Sequence, residues 1–310
     1  MQRIGWVALC LVPTVAASQE AAGAALWRVA AATLSVPQAL ATGGTGGFWN
    51  PAQRVDTVRV LVGLEVMQTS PVVGTSGFLA GARTRVRSLG ALGLILGRME
   101  LGDLVRTSLS PDPDLGTIPY YTQLVGATWS ATPGGTAGRT TVGATLALHD
   151  TRLDLARTQR WTLDIGAARS VTAALRVAAA THFFSSLRTG DPAQDVYGGI
   201  EYRLWRGRVW RASSAAVRAR YGATLAHGFD TDHQFGAGVS LGDGGEGGEG
   251  GEVFGADLLL VREGSYSRAG WRPTASLRVA IGRYRVSFAR DAGVNDIGAA
   301  YRVGLEARLQ

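Results

Sequence analysis

The chain has 310 residues, of which 46 % are apolar and 18 % charged, which excludes a disordered polar chain. Its 43 glycines follow no G-x-y period, so a collagen-like rod is excluded as well. The formal charge of +7 comes wholly from arginines spread along the sequence, a scatter that argues against a nucleic-acid-binding surface.

The first element has the layout of an export signal. Met1-Gln2-Arg3 is a short positive start, Ile4 to Val15 an apolar core, and Val15-Ala16-Ala17 a small-residue cleavage site. Residues 1–18 are therefore expected to be removed, and Cys10, the only cysteine, leaves with them. Beyond residue 20 no uncharged apolar run is long enough for a membrane-spanning helix.

Residues 19–53 are apolar without strand periodicity. An alanine-rich stretch holding Trp27 and Arg28 is followed by Ser35 to Leu40. Next come the glycines at 43, 44, 46 and 47, and then Phe48-Trp49-Asn50-Pro51-Ala52. So apolar a segment is too costly to leave in water, and the lumen of a wide barrel would bury it as a plug. Glycines allow tight turns beside a wall, Pro51 favours extended backbone at Asn50, and the Asn50 side chain can bond neighbouring backbone. The expectation is that Phe48 and Trp49 pack near the periplasmic end, with Asn50-Pro51-Ala52 anchoring the plug to the first strand.

From residue 54 to 310 the period is two. Val58, Val60, Val62, Leu64 and Val66 alternate with Arg59, Leu61, Gly63 and Glu65; at the other end Tyr301, Val303, Leu305, Ala307 and Leu309 alternate with Arg302, Gly304, Glu306 and Arg308. Fourteen such segments occur: 54–68, 75–87, 89–107, 119–132, 139–153, 160–171, 174–186, 194–206, 208–226, 232–243, 252–265, 271–282, 283–291 and 298–310. Their lengths and their even number suit an all-β, antiparallel transmembrane barrel with apolar residues outward. A secreted β-sandwich or propeller is the competing architecture.

With a periplasmic N-terminus, the outer loops would be Thr107–Ile118, His149–Gln159, Ser186–Asp195, Ala226–Asp232 and Asp291–Ile297. The tight turns would be Arg87-Ser88-Leu89, Arg206-Gly207-Arg208 and Gly282-Arg283. Pro133–Gly138 and the acidic, glycine-rich Gly242–Glu252 depart from this asymmetry. Trp205, Trp210, Tyr120, Tyr121, Trp161, Tyr266 and Trp271 lie near strand ends, where a membrane places an aromatic belt.

The glycine-rich run leading into Phe48-Trp49-Asn50-Pro51-Ala52 just before the first strand resembles the outer-membrane family of long-chain fatty-acid and hydrophobic-compound transporters (FadL-like), including the related PorV-type shuttles of type IX secretion. The resemblance covers about 30 residues. It implies a fourteen-stranded barrel in the bacterial outer membrane, plugged by its N-terminal segment, through which fatty acids or other apolar molecules pass across or laterally out of the wall. Partners would be outer-membrane lipid, a hydrophobic ligand and the barrel assembly machinery. The other function it implies is a non-transporting barrel that docks a partner in secretion or envelope organisation. Gln53-Arg54 stands where the family has Gly or Ser-Gly-Leu, and Gln310 ends a chain that in many such barrels ends in an aromatic.

No catalytic, metal or cofactor site is expected. Gly238-Val239-Ser240-Leu241-Gly242 matches a nucleophile elbow, but Ser240 alternates as a strand residue. His149, His182, His227 and His233 lack metal-ligand spacing. Arginines dominate the inward face, where Arg83, Arg85, Arg218 and Arg220 are candidates to receive an anionic head group through the guanidinium fork. Arg59, Glu65, Arg302 and Glu306 are expected inward too.

Overall fold

Alternation becomes pleat in the computed structural model, which describes residues 23–53, 59–86, 89–106, 116–134, 139–210, 213–243, 252–264, 270–293 and 298–309. The export signal, Arg54 and Tyr266 lie outside the described residues, as does most of the stretch between Gly242 and Glu252.

Fourteen antiparallel strands close into a barrel. They are β1 (Val60–Gln68), β2 (Thr75–Val86), β3 (Gly90–Leu101), β4 (Tyr120–Ala131), β5 (Thr140–Leu153), β6 (Ala156–Ser170) and β7 (Leu175–Phe183). The second half comprises β8 (Gln194–Trp210), β9 (Ser213–Ala226), β10 (Thr231–Asp243), β11 (Glu252–Arg262), β12 (Trp271–Ile281), β13 (Tyr284–Asp291) and β14 (Ala300–Leu309). Each strand pairs with its sequence neighbours, and β1 closes on β14 in the register Val60↔Leu309 to Gln68↔Tyr301. Closure matters because hydrocarbon offers no partner to an open strand edge.

The rim holding Val60 and Leu309 is called the near rim, and the one holding Gln68 and Tyr301 the far rim. The longest connections, 102–119 and 184–193, are at the far rim; the near rim includes the short turns 171–174 and 282–283. Val62, Leu64, Val66, Val303, Leu305 and Leu309 are exposed on the outer face, while Arg302 and Glu306 are buried inside and Glu65 pairs with Arg302. Burying the outer apolar row in a bilayer is what makes it favourable. Exposed aromatics border it: Tyr221, Phe235, Trp271 and Tyr301 toward the far rim, and Trp129, Trp205 and Tyr284 toward the near rim.

Three sequence expectations need correction. Arg59 is exposed rather than luminal, because the β1 ladder starts one residue later; its carbonyl accepts from Thr84 Oγ1 (3.0 Å) and Arg85 N (3.2 Å) at the rim. His149–Gln159 is not a loop. β5 and β6 run on to a two-residue turn at Asp154-Leu155, and Gln123 and Arg157 bind Asp150 across neighbouring strands (2.9 and 2.8 Å). Arg206-Gly207-Arg208 is not a turn either. β8 continues to Trp210 through bulges between Arg203 and Trp205 and between Arg208 and Trp210.

Candidate functional site: a lumen divided by the N-terminal segment

Residues 23–53 lie inside the barrel and touch most of its wall. Helix α1 (Ala24–Ala32) starts beside Thr122 and Thr151, ends against β14 and β12, and so occupies the far half of the lumen. A 3-10 turn (Gln38–Leu40) meets β8, β9 and β10, and the short helix α2 (Gly46–Trp49) faces β4 and β5.

The termini of α1 explain its position. Its last carbonyls have no partner within the helix, and two wall arginines supply donors. Arg302 gives Nη2 to Ala30 O (2.6 Å), Nε to Thr33 Oγ1 (2.9 Å) and Nη1 to Glu65 (2.9 Å). Arg272 gives Nη1 to Ala32 O (2.7 Å) and also binds Glu263 (2.6 Å) and Asp291. Cations at this end also complement the helix dipole. On the opposite wall Arg28 forks onto Asp195 (3.1 and 2.9 Å) beneath Phe229.

The helix buries an apolar cluster at the centre of the barrel. Trp27, Phe48 and Trp49 pack on Leu79, Ile95, Met99 and Leu124 of the wall and on Phe184. Phe48 meets Trp27, Trp49 and His182 with ring centroids 4.9, 4.6 and 4.6 Å apart. His182 Nδ1 lies 2.9 Å from Asp164 Oδ2 without the alignment of a hydrogen bond, and His149 is fully buried beside it.

Phe48 and Trp49 thus reach the second half of β5 and β7 and the Arg302 end of β14, not the near rim where they were expected. Asn50-Pro51-Ala52 does not anchor to β1. It packs on Gly143 of β5 and Gly166 of β6, while Asn50 Nδ2 donates to Ala39 O (2.6 Å) and Oδ1 accepts from Ala52 N (2.9 Å). The chain doubles back at the glycines, and Gly44 is what touches β1: a Cβ on it would strike the Gly63 backbone, and one on Gly81 would strike the Gly44 carbonyl. Nothing in the order of residues tells which wall a doubled-back segment will meet.

Between this segment and the near rim is a cavity of about 520 Å³, lined by residues between Thr33 and Gln53 on one side and by arginine-rich wall on the other. Of the four candidate head-group arginines, Arg218 and Arg220 line it. Arg220 is held by Glu201 and Asp257 (2.6 Å each), so its charge is matched; among the described residues Arg218 reaches only Ser240 Oγ (3.1 Å). Arg83 does not line the cavity. It is buried against Gln53 Oε1 (3.1 Å) and Ser130 Oγ (2.8 Å) and serves as a tether for the end of the segment. Arg85 is exposed near the end of β2, outside the cavity. Ser240 sits within a strand.

Among the described residues the wall has long unpaired stretches on both sides of β7: β8 has no β7 ladder partner beyond Tyr202, and the other stretch, the seam, lies beside β6. β6 pairs with β5 along its whole length but with β7 only from Ile165 to Ser170; among the described residues, Ala156 to Asp164 has no ladder partner on that side. Phe183 N donates instead to the Asp164 side chain (2.8 Å). Asp164 and His182 line the inside of this seam, with Phe48 and Phe184 against the His182 ring.

No protein-family model matches the chain, and no curated protein matches its sequence. Solved structures do. The toluene transporter TbuX of Ralstonia pickettii superposes with a TM-score of 0.50 at 14 % identity, covering 88 % of this chain and 96 % of that one. The chain shares that fold, a closed fourteen-stranded antiparallel barrel. The toluene transporter TodX of Pseudomonas putida superposes at 0.48 with 10 % identity, covering 93 % and 97 %. With its closed wall and apolar exterior, the chain is an outer-membrane β-barrel.

Proposed function

We propose that this barrel passes hydrophobic compounds, anionic ones such as fatty acids among them, and that residues 23–53 are its gate. The observation that carries the reading is the unpaired seam between β6 and β7, backed by the aromatic cluster of the N-terminal segment. A wall without its ladder can part at lower cost than one with it, because each backbone bond adds about 0.5–1.5 kcal/mol. On the outer face of the seam, Trp161 and Leu163 are exposed, so a molecule leaving there enters an apolar phase. The solved relatives are described as toluene transporters, which agrees with an apolar cargo.

The gate is testable through one contact. Ser35 of the segment and Ser276 of β12 have hydroxyls 2.7 Å apart, and Cys10 is the only cysteine in the sequence. A Ser35→Cys/Ser276→Cys pair therefore forms a staple that can be opened with reductant. Uptake of a long-chain fatty acid and of a monoaromatic hydrocarbon is compared in cells with and without the protein. The oxidised staple should lower uptake and reductant restore it. Uptake equal to that of cells lacking the protein, or indifferent to the staple, refutes the reading.

A further inference from the structure

Around the near-rim cavity, charge is matched on one side and left over on the other. Eleven arginines and four glutamates line it. Five of those arginines have carboxylates. Arg302 binds Glu65, Arg220 and Arg278 share Asp257 and take Glu201 and Glu252, and Arg285 and Arg308 flank Glu306 at 3.5 and 3.2 Å. The other six are Arg139, Arg169, Arg176, Arg203, Arg206 and Arg218, and among the described residues no carboxylate lies within ion-pair distance of them. Arg139 stands just before β5, Arg176 is on β7, Arg203 and Arg206 are on β8 and Arg218 is on β9, together one arc of wall; Arg169 of β6 is exposed and alternates with the inward Ala168, so it faces away from the lumen.

Three members of the arc are positioned by neutral acceptors that leave their charge intact. Arg139 donates to Val171 O (3.2 Å), Arg203 to Ala173 O and Arg218 to Ser240 Oγ (3.1 Å). Arg203 and Arg218 are also direct cross-strand partners, and like charges placed opposite each other destabilise a sheet. The β8 bulge adds another cation. Regular alternation would put Arg206 on the same face as Leu204, toward lipid. With the bulge Leu204 and Trp205 are both exposed outside, and Arg206 pairs with Ala216 and lines the cavity. Bulges at barrel rims commonly re-aim a side chain in this way.

We propose that this arc is a binding site for a phosphate group, entered from the near rim. A phosphate supplies close to two negative charges and three strong acceptor oxygens, which suits several guanidinium forks better than a single carboxylate does. The proposal is independent of hydrophobic passage, since it involves neither the seam nor the aromatic cluster. The phosphate can belong to a soluble compound or to a lipid headgroup at the rim.

The test uses the full barrel in phosphatidylcholine nanodiscs, with inorganic pyrophosphate as probe and calorimetry as readout. Wild type should bind, more weakly at high salt. Arg203→Gln/Arg218→Gln should weaken binding by about tenfold or more, and Arg262→Gln, an exposed arginine at the far end of β11, should not. Heat-modifiable gel mobility reports folding; Arg176→Gln/Arg206→Gln serves in its place if the first pair does not fold. In phosphatidylglycerol nanodiscs, suppressed pyrophosphate binding identifies the headgroup as occupant, and unchanged binding identifies a soluble one. Absence of binding by wild type, or equal binding by a folded double variant, overturns the proposal.

Discussion

Gly44 meets Gly63 backbone to backbone, with no side chain on either residue to hold the N-terminal segment away from β1. Gly81 of β2 completes the contact beneath the Gly44 carbonyl. Gly44→Val should therefore push the segment off the wall at a cost of about 1–3 kcal/mol. Limited proteolysis should then cut between residues 33 and 47, while the barrel keeps its heat-modifiable mobility. A segment as protected as in wild type would show that the contact tolerates bulk.

Arg302 joins the helix end, Glu65 and the Trp49 ring in one buried set. Arg302→Gln leaves Glu65 without its cation and Ala30 and Thr33 with fewer donors. The expected loss is about 3–5 kcal/mol of unfolding free energy in detergent, as for other broken buried pairs. Arg302→Lys should recover only part of it, since an ammonium cannot reach all three acceptors as a planar fork does. Equal stability of all three proteins would place the helix end on other supports.

Leu305 sits mid-strand on the lipid face, while Ser287 on the adjacent strand lines the cavity. Leu305→Arg should cost about 2–4 kcal/mol and lower the folded yield; Ser287→Arg, which enters water, should not. Similar folded yields from the two variants would reverse the assignment of faces.

Removing residues 24–47 takes away α1, the 3-10 turn and their contacts but leaves every strand. Ion conductance of the reconstituted barrel should rise, because a fourteen-stranded wall encloses water unless something fills it. Conductance unchanged in a folded barrel would mean that the segment does not close the lumen.

The strands were legible because lipid on one side and lumen on the other enforce alternation at nearly every position, as in Val60 to Val66. Two features escaped for a related reason. Asp150, Arg152 and Arg157 read as loop polarity, yet Asp150 is tied across strands to Gln123 and Arg157 in a hairpin that continues past the apolar belt. At Leu204-Trp205 two adjacent outward residues look like an error of period, and only the partner strand reveals an insertion. The arginine-rich inward face was visible, but not which arginines are neutralised. Arg220 and Arg218 are two residues apart on one strand, and their partners come from β8, β10 and β11, brought together by closure alone.

The extra residue at Leu204 in β8 also separates two parts of the strand that would otherwise change together. In a strict pleat, adding or losing one residue exchanges lipid and lumen faces for everything beyond it, so most such changes in this wall would be lethal to assembly. Here the exchange has been confined to the last turn of wall before the rim, leaving the Val196–Arg203 stretch in phase with β7. Length variation at Leu204 can thus present new side chains to the near-rim cavity without disturbing the bilayer-spanning rows, a cheap route by which barrels of this shape can diversify what they hold.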